Sequence, residues 1–172
     1  MIADLLVLGE LARGPRHGYD LNKELQRVFG PDFVLNPNIL YPALRRLREA
    51  EFVTREVQRK VGPDRHVYRL TASGRTHLLE QLRTFTPDLA KHDSEFKARV
   101  AFFDLLSESE REAIIGTRRT ALIGRINQCQ DRQRGDSRFA AELSILTIRL
   151  SKDELEWLNS LTSKTADADR LA

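Results

Sequence analysis

The sequence predicts a mainly α-helical protein with one small β-hairpin, and two patterns carry this prediction. Apolar residues recur at spacings of three and four along most of the 172 residues, which is typical of helices that bury one face. The spacing changes to two after Phe52, in two short runs on either side of a Gly-Pro turn at 61–64. The hairpin therefore follows three helices and precedes the remaining ones.

The stretch 36–53 predicts the third helix, and its two faces differ in chemistry. Asn36 or Asn38 can cap its start, and Pro37 suits the first turn. One face is apolar, with Leu40, Leu44 and Leu47. The opposite face is polar or basic and carries Asn38, Tyr41, Pro42, Arg45 and Glu49, with Arg46 and Arg48 on its flanks. An ordinary solvated surface helix would explain the arginines, but an early proline that weakens the helix indicates a docking surface.

The elements around this helix complete the first domain. Residues 2–12 predict a first helix that Gly14-Pro15 ends, and residues 16–28 predict a second. In the hairpin, Tyr68 shares one face with its alternate neighbours, and a helix begins after it at residue 71. Arg59, Lys60 and Arg65 make the hairpin tip basic. A helix-turn-helix followed by such a hairpin is the plan of a winged helix-turn-helix domain.

Charge is concentrated in this part of the chain. Residues 39–75 hold nine Lys or Arg and four Asp or Glu, which leaves +5, whereas residues 85–172 hold 14 and 15, which leaves −1. A local basic excess is typical of a surface that binds a polyanion. We therefore expect the third helix to enter a DNA major groove and the hairpin to contact the backbone. The alternative is a winged helix used for protein–protein contact without a specific DNA target, which the basic tip disfavours.

Three motifs occur in the order and spacing of a known family. They are HGYDL at 17–21, LYPALRRL at 40–47 and YRLTASGR at 68–75. Together they resemble the PadR family of transcriptional regulators across residues 2–82. Two positions depart from the family pattern, because Asn38 and Glu51 stand where the family usually has glycine.

The resemblance and the charge pattern together predict a homodimeric DNA-binding regulator, most simply a repressor on a palindromic operator of double-stranded DNA. The residues expected to contact DNA are His17, Tyr19, Asn38, Tyr41, Pro42, Arg45, Arg46, Arg48, Arg59, Lys60 and Arg65. The predicted boundaries are 1–85 for the winged helix-turn-helix DNA-binding domain and 86–172 for an all-α dimerisation domain.

The second domain predicts three striped helices. The first carries apolar residues at 96, 100, 103 and 106; the second opens with a capping-box pattern at 107–110 and runs to about residue 133. The last carries Phe139, Leu143, Leu146, Leu150, Leu158 and Leu161, and a second capping-box pattern at 151–154 leaves open whether it is broken or continuous. Such helices could form a monomeric bundle, but the resemblance implies interleaving with a second copy.

The resemblance also implies a small, often aromatic effector. Phe96, Phe103 and Trp157 are the candidate lining residues, although aromatic residues at helical spacing are more often core. The short connection at 84–87 contains Pro87. Its fixed backbone angle would transmit movement from the second domain to the DNA-binding domain.

Other classes of function find no support in the residues. The chain has no dinucleotide-binding, P-loop or zinc-protease motif, and its four histidines form no triad or ligand spacing, so we expect no enzyme, cofactor or metal. The single cysteine, Cys129, cannot form an intrachain disulfide. No apolar run is long enough to span a membrane and the start lacks a secretory signal, so a cytoplasmic protein is expected.

Overall fold

The computed structural model describes residues 2–58, 65–132 and 137–168, and it confirms a mainly helical chain with a small antiparallel sheet. The elements in order are α1 (Ile2–Ala12), β1 (Arg16–His17), α2 (Gly18–Phe29), α3 (Pro37–Glu49), β2 (Val53–Gln58), β3 (Arg65–Leu70), α4 (Ala72–Arg83), α5 (Asp93–Val100), α6 (Glu108–Arg132) and α7 (Arg138–Ala168). Short 3-10 turns lie at Leu89–Lys91 and Phe103–Leu105.

The chain folds into two compact units. The first contains the chain up to Thr84 together with Lys97–Leu105. The second contains Phe85–Phe96 and the chain from Leu106 onward. The division into domains at residue 85 stays a prediction.

The first unit has a winged-helix arrangement with a sheet of order β1-β3-β2. The sequence predicted a two-stranded hairpin and placed Arg16 and His17 in the opening of the second helix, and this part was wrong. Both residues pair antiparallel with β3, opposite Tyr68 and Val67, so α2 begins only at Gly18. A two-residue strand has no alternation of its own, and only its pairing partner reveals it.

Helix α1 forms the centre of this unit. Its apolar side chains at positions 5, 6, 7, 8 and 11 are all buried. Gly9 is buried too, and a Cβ at this position would collide with the ring of Phe102. Arg13 holds the same segment, since its guanidinium lies over that ring, donates to the Ala101 carbonyl at 2.7 Å and pairs with Glu10 at 2.9 Å. The segment after α5 is therefore part of the core of this unit.

The burial of Glu10 affects the pKa of its carboxyl. Burial raises the pKa of the Glu10 carboxyl, and the attraction of Arg13 opposes this rise without cancelling it. Because the folded state holds this proton more tightly, the contribution of Glu10 to stability falls as pH rises from the unfolded pKa through the folded pKa. The ion pair with Arg13 thus serves mainly to orient the arginine.

The turn after α3 adopts a conformation that favours glycine. Glu51 has φ +59°, the only positive φ among the non-glycine residues that the structure describes. The amide of Phe52 donates to the Leu47 carbonyl at 2.9 Å and that of Glu51 to the Arg48 carbonyl at 3.0 Å, which is a Schellman helix ending. Residues of the third motif hold this turn in place. Thr71 and Ser73 donate to the Glu51 carbonyl, and Gly74 leaves room for the Phe52 carbonyl.

A buried arginine organises the second unit. Arg118 on α6 is fully buried; it donates to both carboxylate oxygens of Glu154 on α7 at 2.7 and 2.8 Å. It also donates to Asp93 at 2.6 Å and to the Ala90 carbonyl at 2.6 Å. Burial raises the pKa of Asp93, but the hydrogen bonds from Arg118 and Arg125 outweigh burial and hold it below its usual range.

The helices after α4 confirm one sequence prediction, decide between two alternatives that the sequence left open, and correct another prediction. The capping box at 107–110 is confirmed, since the Ser107 amide donates to the Glu110 carboxylate at 2.8 Å and the Glu110 amide to the Ser107 hydroxyl at 3.4 Å. Helix α7 is continuous, and the Ser151 hydroxyl donates to the Thr147 carbonyl instead of capping a new helix. The predicted single helix through residue 106 was wrong, because α5 ends at Val100 and the chain turns to place Phe102 against Gly9.

We predict that Glu51→Gly stabilises the protein. Glycine adopts positive φ without the steric penalty of a side chain, so we expect the free energy of unfolding to rise by about 1 kcal/mol. Chemical denaturation followed by circular dichroism measures this. Glu80→Gly is the matched control, because the same exchange in the exposed interior of α4 should cost about 1 kcal/mol. Equal destabilisation by both variants would contradict the assignment of strain to residue 51.

Candidate nucleic-acid interface

Helix α3 presents the chemically divided surface that its sequence predicted. The Asn36 side chain caps it by accepting from the Asn38 amide at 2.8 Å, and Pro37 occupies the first turn. The inward face is fully buried and consists of Leu40, Ala43, Leu44 and Leu47. The outward side chains are exposed or half-buried and are Asn38, Tyr41, Pro42, Arg45 and Arg48. Burial of the leucines therefore fixes which side chains α3 offers to a partner.

The three arginines of α3 differ in what they contact. Arg46 donates to the Asp4 carboxylate of α1 at 2.8 Å, so it ties the two helices together. Arg45 lies 4.0 Å from Glu49 in an exposed pair, which holds it weakly. Arg48 forms no ion pair with any residue that the structure describes. Arg45 and Arg48 are thus free to reach a ligand, whereas Arg46 is held against α1 and its contact with DNA stays a prediction.

A groove of about 500 Å³ opens beside α3 at the start of α2. Its wall combines both histidines of the sheet with all three tyrosines of the chain and one carboxylate, and it is lined by His17, Gly18, Tyr19, Asp20, Tyr41, His66 and Tyr68. Gly18 permits the approach of α3, because a Cβ there would lie 3.2 Å from Cε1 of Tyr41. The sheet thus brings residues of all three sequence motifs to one place.

The histidines of this groove are oriented by neighbouring groups. The Nδ1 of His17 lies 3.2 Å from the His66 carbonyl oxygen and donates to it, since a carbonyl oxygen can only accept. The Nε2 of His66 accepts from the Arg55 guanidinium. The tautomers follow from these partners, and Nε2 of His17 remains available for a ligand.

The wing is partly described. The backbone of Arg65 lies in β3, opposite Gln58, but its side chain falls outside the described residues, as do Arg59 and Lys60 entirely. Arg69 pairs with Glu56 across the two strands at 3.1 Å, on the face away from His66 and Tyr68. The predicted basic tip therefore stays a prediction.

The three candidate effector residues are divided between the two units. The rings of Phe96 and Trp157 meet edge to face at a centroid distance of 6.3 Å in the second unit, and the Arg118 guanidinium covers Phe96 at 5.3 Å. Phe96 is buried, whereas Trp157 is 43% exposed. Phe103 is also buried but belongs to the first unit.

Sequence reasoning missed Asp20, Arg55, His66 and Tyr68 as members of this interface. For Arg55, His66 and Tyr68 the signal is the strand register, which places Arg55 and Arg16 opposite Tyr68, whereas Asp20 joins the groove from the first turn of α2. The alternation in the hairpin had placed His66 and Tyr68 on one face, but it could not show which face met α2. Within the described residues, no cluster of three or more His, Cys, Asp or Glu could hold a metal ion, and no helix is both long and apolar enough to cross a bilayer.

Comparison with known proteins agrees with the motif resemblance. Residues 7–80 match the model of the transcriptional regulator PadR-like family, which confirms that resemblance. The curated Negative transcriptional regulator PadR of Bacillus subtilis is 28% identical over 105 residues, which are 60% of this chain. The chain spans 58% of the length of that relative.

Several solved structures also resemble this chain at low identity. Bacillus subtilis PadR in complex with operator DNA is 20% identical, covers 95% of this chain and 99% of its own, and gives a TM-score of 0.49. The same protein in complex with p-coumaric acid gives 0.45 over 95% and 98% at 20% identity. A PadR family transcription regulator from Clostridium difficile is 24% identical, covers 47% and 83%, and gives 0.42.

Proposed function

We propose that this chain, whose residues 7–80 match the PadR-like transcriptional-regulator family, acts as a homodimeric repressor on a palindromic DNA operator. The carrying observation is the outward face of α3, where Tyr41, Arg45 and Arg48 stand exposed above a fully buried leucine face. Guanidinium groups recognise phosphate and guanine edges by paired hydrogen bonds, and a tyrosine hydroxyl donates to phosphate. Such a helix reads DNA when it enters the major groove.

The groove residues and the wing extend this surface. His17 and Tyr19 begin α2 beside Tyr41, and the wing tip at 59–65 carries three basic residues in its sequence. We propose that α3 reads bases while the start of α2 and the wing contact the backbone, with Asn38 and Pro42 at the start of α3. Arg46 contributes by holding α3 on α1 through Asp4.

Repression is the direction that the curated relative supports, because its name describes a negative regulator. A protein that occupies promoter DNA excludes other proteins from it, and no catalytic group is needed for this. Two DNA-binding domains related by a two-fold axis would bind a palindrome far more tightly than one domain.

The proposal of a dimer is supported by an apolar seam on α7, which we define as Phe139, Leu143, Leu146 and Leu150. Their spacing of four, three and four places them on one side of the helix, and Phe139 and Leu143 are 78% and 66% exposed. The side facing α6 is different and contains the buried Ser151 and Leu158. We propose that the seam packs against a second copy, since an exposed apolar stripe of this length is typical of an interface.

We predict that Arg45→Ala weakens DNA binding whereas Arg46→Ala weakens the fold. Loss of a base contact by Arg45 should cost about 1–3 kcal/mol of binding free energy without changing the unfolding midpoint. Arg46→Ala should lower that midpoint, because the hydrogen bond that ties α3 to Asp4 of α1 is then lost. Fluorescence anisotropy with a duplex that the protein selects from random DNA measures the first effect, and chemical denaturation measures the second.

The same titration repeated at several salt concentrations tests the proposal as a whole. Each neutralised phosphate should contribute about −0.9 to the slope of log affinity against log salt. Failure to select any duplex, or a flat salt dependence, would contradict DNA binding and favour a protein partner.

We predict that Leu143→Glu with Leu150→Glu produces a monomer in sedimentation velocity. Charges in the seam would have to be desolvated on association, which is unfavourable. Lys152→Glu is the matched control, because Lys152 is exposed on the opposite side of α7 and its variant should remain dimeric. An unchanged dimer in the double variant would place the interface elsewhere.

We also propose a small aromatic effector that releases the operator, since PadR-like regulators are expected to respond to such molecules. An effector acts only by binding the DNA-incompetent arrangement more tightly than the competent one. Trp157 is the natural reporter because it is partly exposed against Phe96. Titration with hydroxycinnamic and benzoic acids should change its fluorescence and lower operator affinity together; no response of either signal would argue against these acids.

A further inference from the structure

We infer that the groove at the start of α2 holds one backbone phosphate of bound DNA, and that Tyr68 donates a hydrogen bond to it. This inference rests on the proposed DNA binding and adds a contact that the sequence did not single out. Three features of the groove support it, namely an uncapped helix start, a tyrosine whose ring is buried and whose hydroxyl has no partner among the described residues, and a shape held open by glycine.

The start of α2 offers backbone donors. The helix has 12 residues, and the side chain of His17 at its N-cap position makes no capping hydrogen bond. The first N–H groups of a helix have no partner within the helix, and the helix dipole makes this end attractive to anions. These groups belong to Gly18, Tyr19 and Asp20, all of which line the groove. A phosphate oxygen there would satisfy donors that no side chain in the described part of the chain satisfies.

Tyr68 supplies the independent evidence for a ligand. Only 7% of this residue is exposed, so its ring is held in the core, while its hydroxyl opens onto the groove and forms no hydrogen bond with any residue that the structure describes. A phenol hydroxyl in this position is free to donate to a ligand in the groove. Its backbone lies in the central strand, opposite Arg16 on one side and Arg55 on the other, so its position is fixed before a ligand arrives.

The remaining walls suit a phosphodiester. Gly18 lets the Tyr41 ring approach the helix start, and a larger residue would press on that ring. The Nδ1 of His17 is occupied by the His66 carbonyl, which leaves Nε2 for a ligand. Arg55 lies against His66 and adds positive charge at the sheet side of the groove.

Asp20 is the single carboxylate of this wall, and its charge opposes an anion. The phosphate must therefore be held by donors that outweigh this repulsion. It follows that neutralising Asp20 should strengthen DNA binding. If the carboxylate instead contacted DNA directly, for example through a cytosine amino group, neutralising it would weaken binding.

The experiment pairs Tyr68→Phe with single uncharged methylphosphonate substitutions along the duplex that the parent protein selects. We expect Tyr68→Phe to weaken binding about tenfold, which is typical of a hydrogen bond to a charged group. At one backbone position in each half-site, the methylphosphonate should weaken the parent about tenfold and the variant by much less. That non-additivity would identify the phosphate that Tyr68 contacts.

Controls separate this contact from general damage. Thr76→Val removes an exposed hydroxyl from α4 and should bind every duplex as the parent does. The unfolding midpoint of Tyr68→Phe should match the parent, because the ring is retained and the hydroxyl has no partner to lose. Asp20→Asn should bind more tightly.

The outcomes distinguish the inference from the proposed function. If the parent binds its duplex but Tyr68→Phe binds equally well, or if no position shows coupling, the phosphate contact is overturned while DNA binding stands. Weaker binding by Asp20→Asn would also overturn it. If the parent selects no duplex at all, the proposed function and this inference fall together.

Discussion

The pairing of β3 with both β1 and β2 is the interaction on which the groove beside α3 depends. It places Tyr68 of the third motif beside His17 of the first, although about fifty residues separate them. Helix α3 then closes the groove with Tyr41, because Gly18 adds no side chain at the contact. Three motifs that are distant in sequence become one surface because a central strand hydrogen-bonds on both edges.

The turn after α3 has a backbone conformation that is unfavourable for the residue that occupies it. A glutamate at positive φ costs more than glycine, and the fold retains it because Thr71 and Ser73 hold the Glu51 carbonyl. Gly74 is required at the same contact, since any side chain would collide with the Phe52 carbonyl. These bonds set the angle at which the wing leaves α3, so they matter to any ligand that touches both.

The second unit depends on the buried guanidinium of Arg118, which would destabilise the fold if it had no partners. Arg118 is fully buried, and only its simultaneous bonds to Glu154, Asp93 and the Ala90 carbonyl compensate for its lost hydration. The network ties α6 to α7 in one register. The apolar seam of α7 is consequently left on the outside of the pair, where it is exposed.

The sequence by itself determined the helices, the hairpin, the family resemblance and the divided face of α3, because periodicity, caps and glycines are local signals. It also identified residue 51 as unusual. Only the tertiary structure decided that Arg16 and His17 form a strand and that Phe102 lies beyond the end of α5, where it fills the space over Gly9. It also decided that Arg46 pairs with Asp4. Each of these depends on a partner far along the chain, and a pattern in one segment carries no information about the segment it will meet.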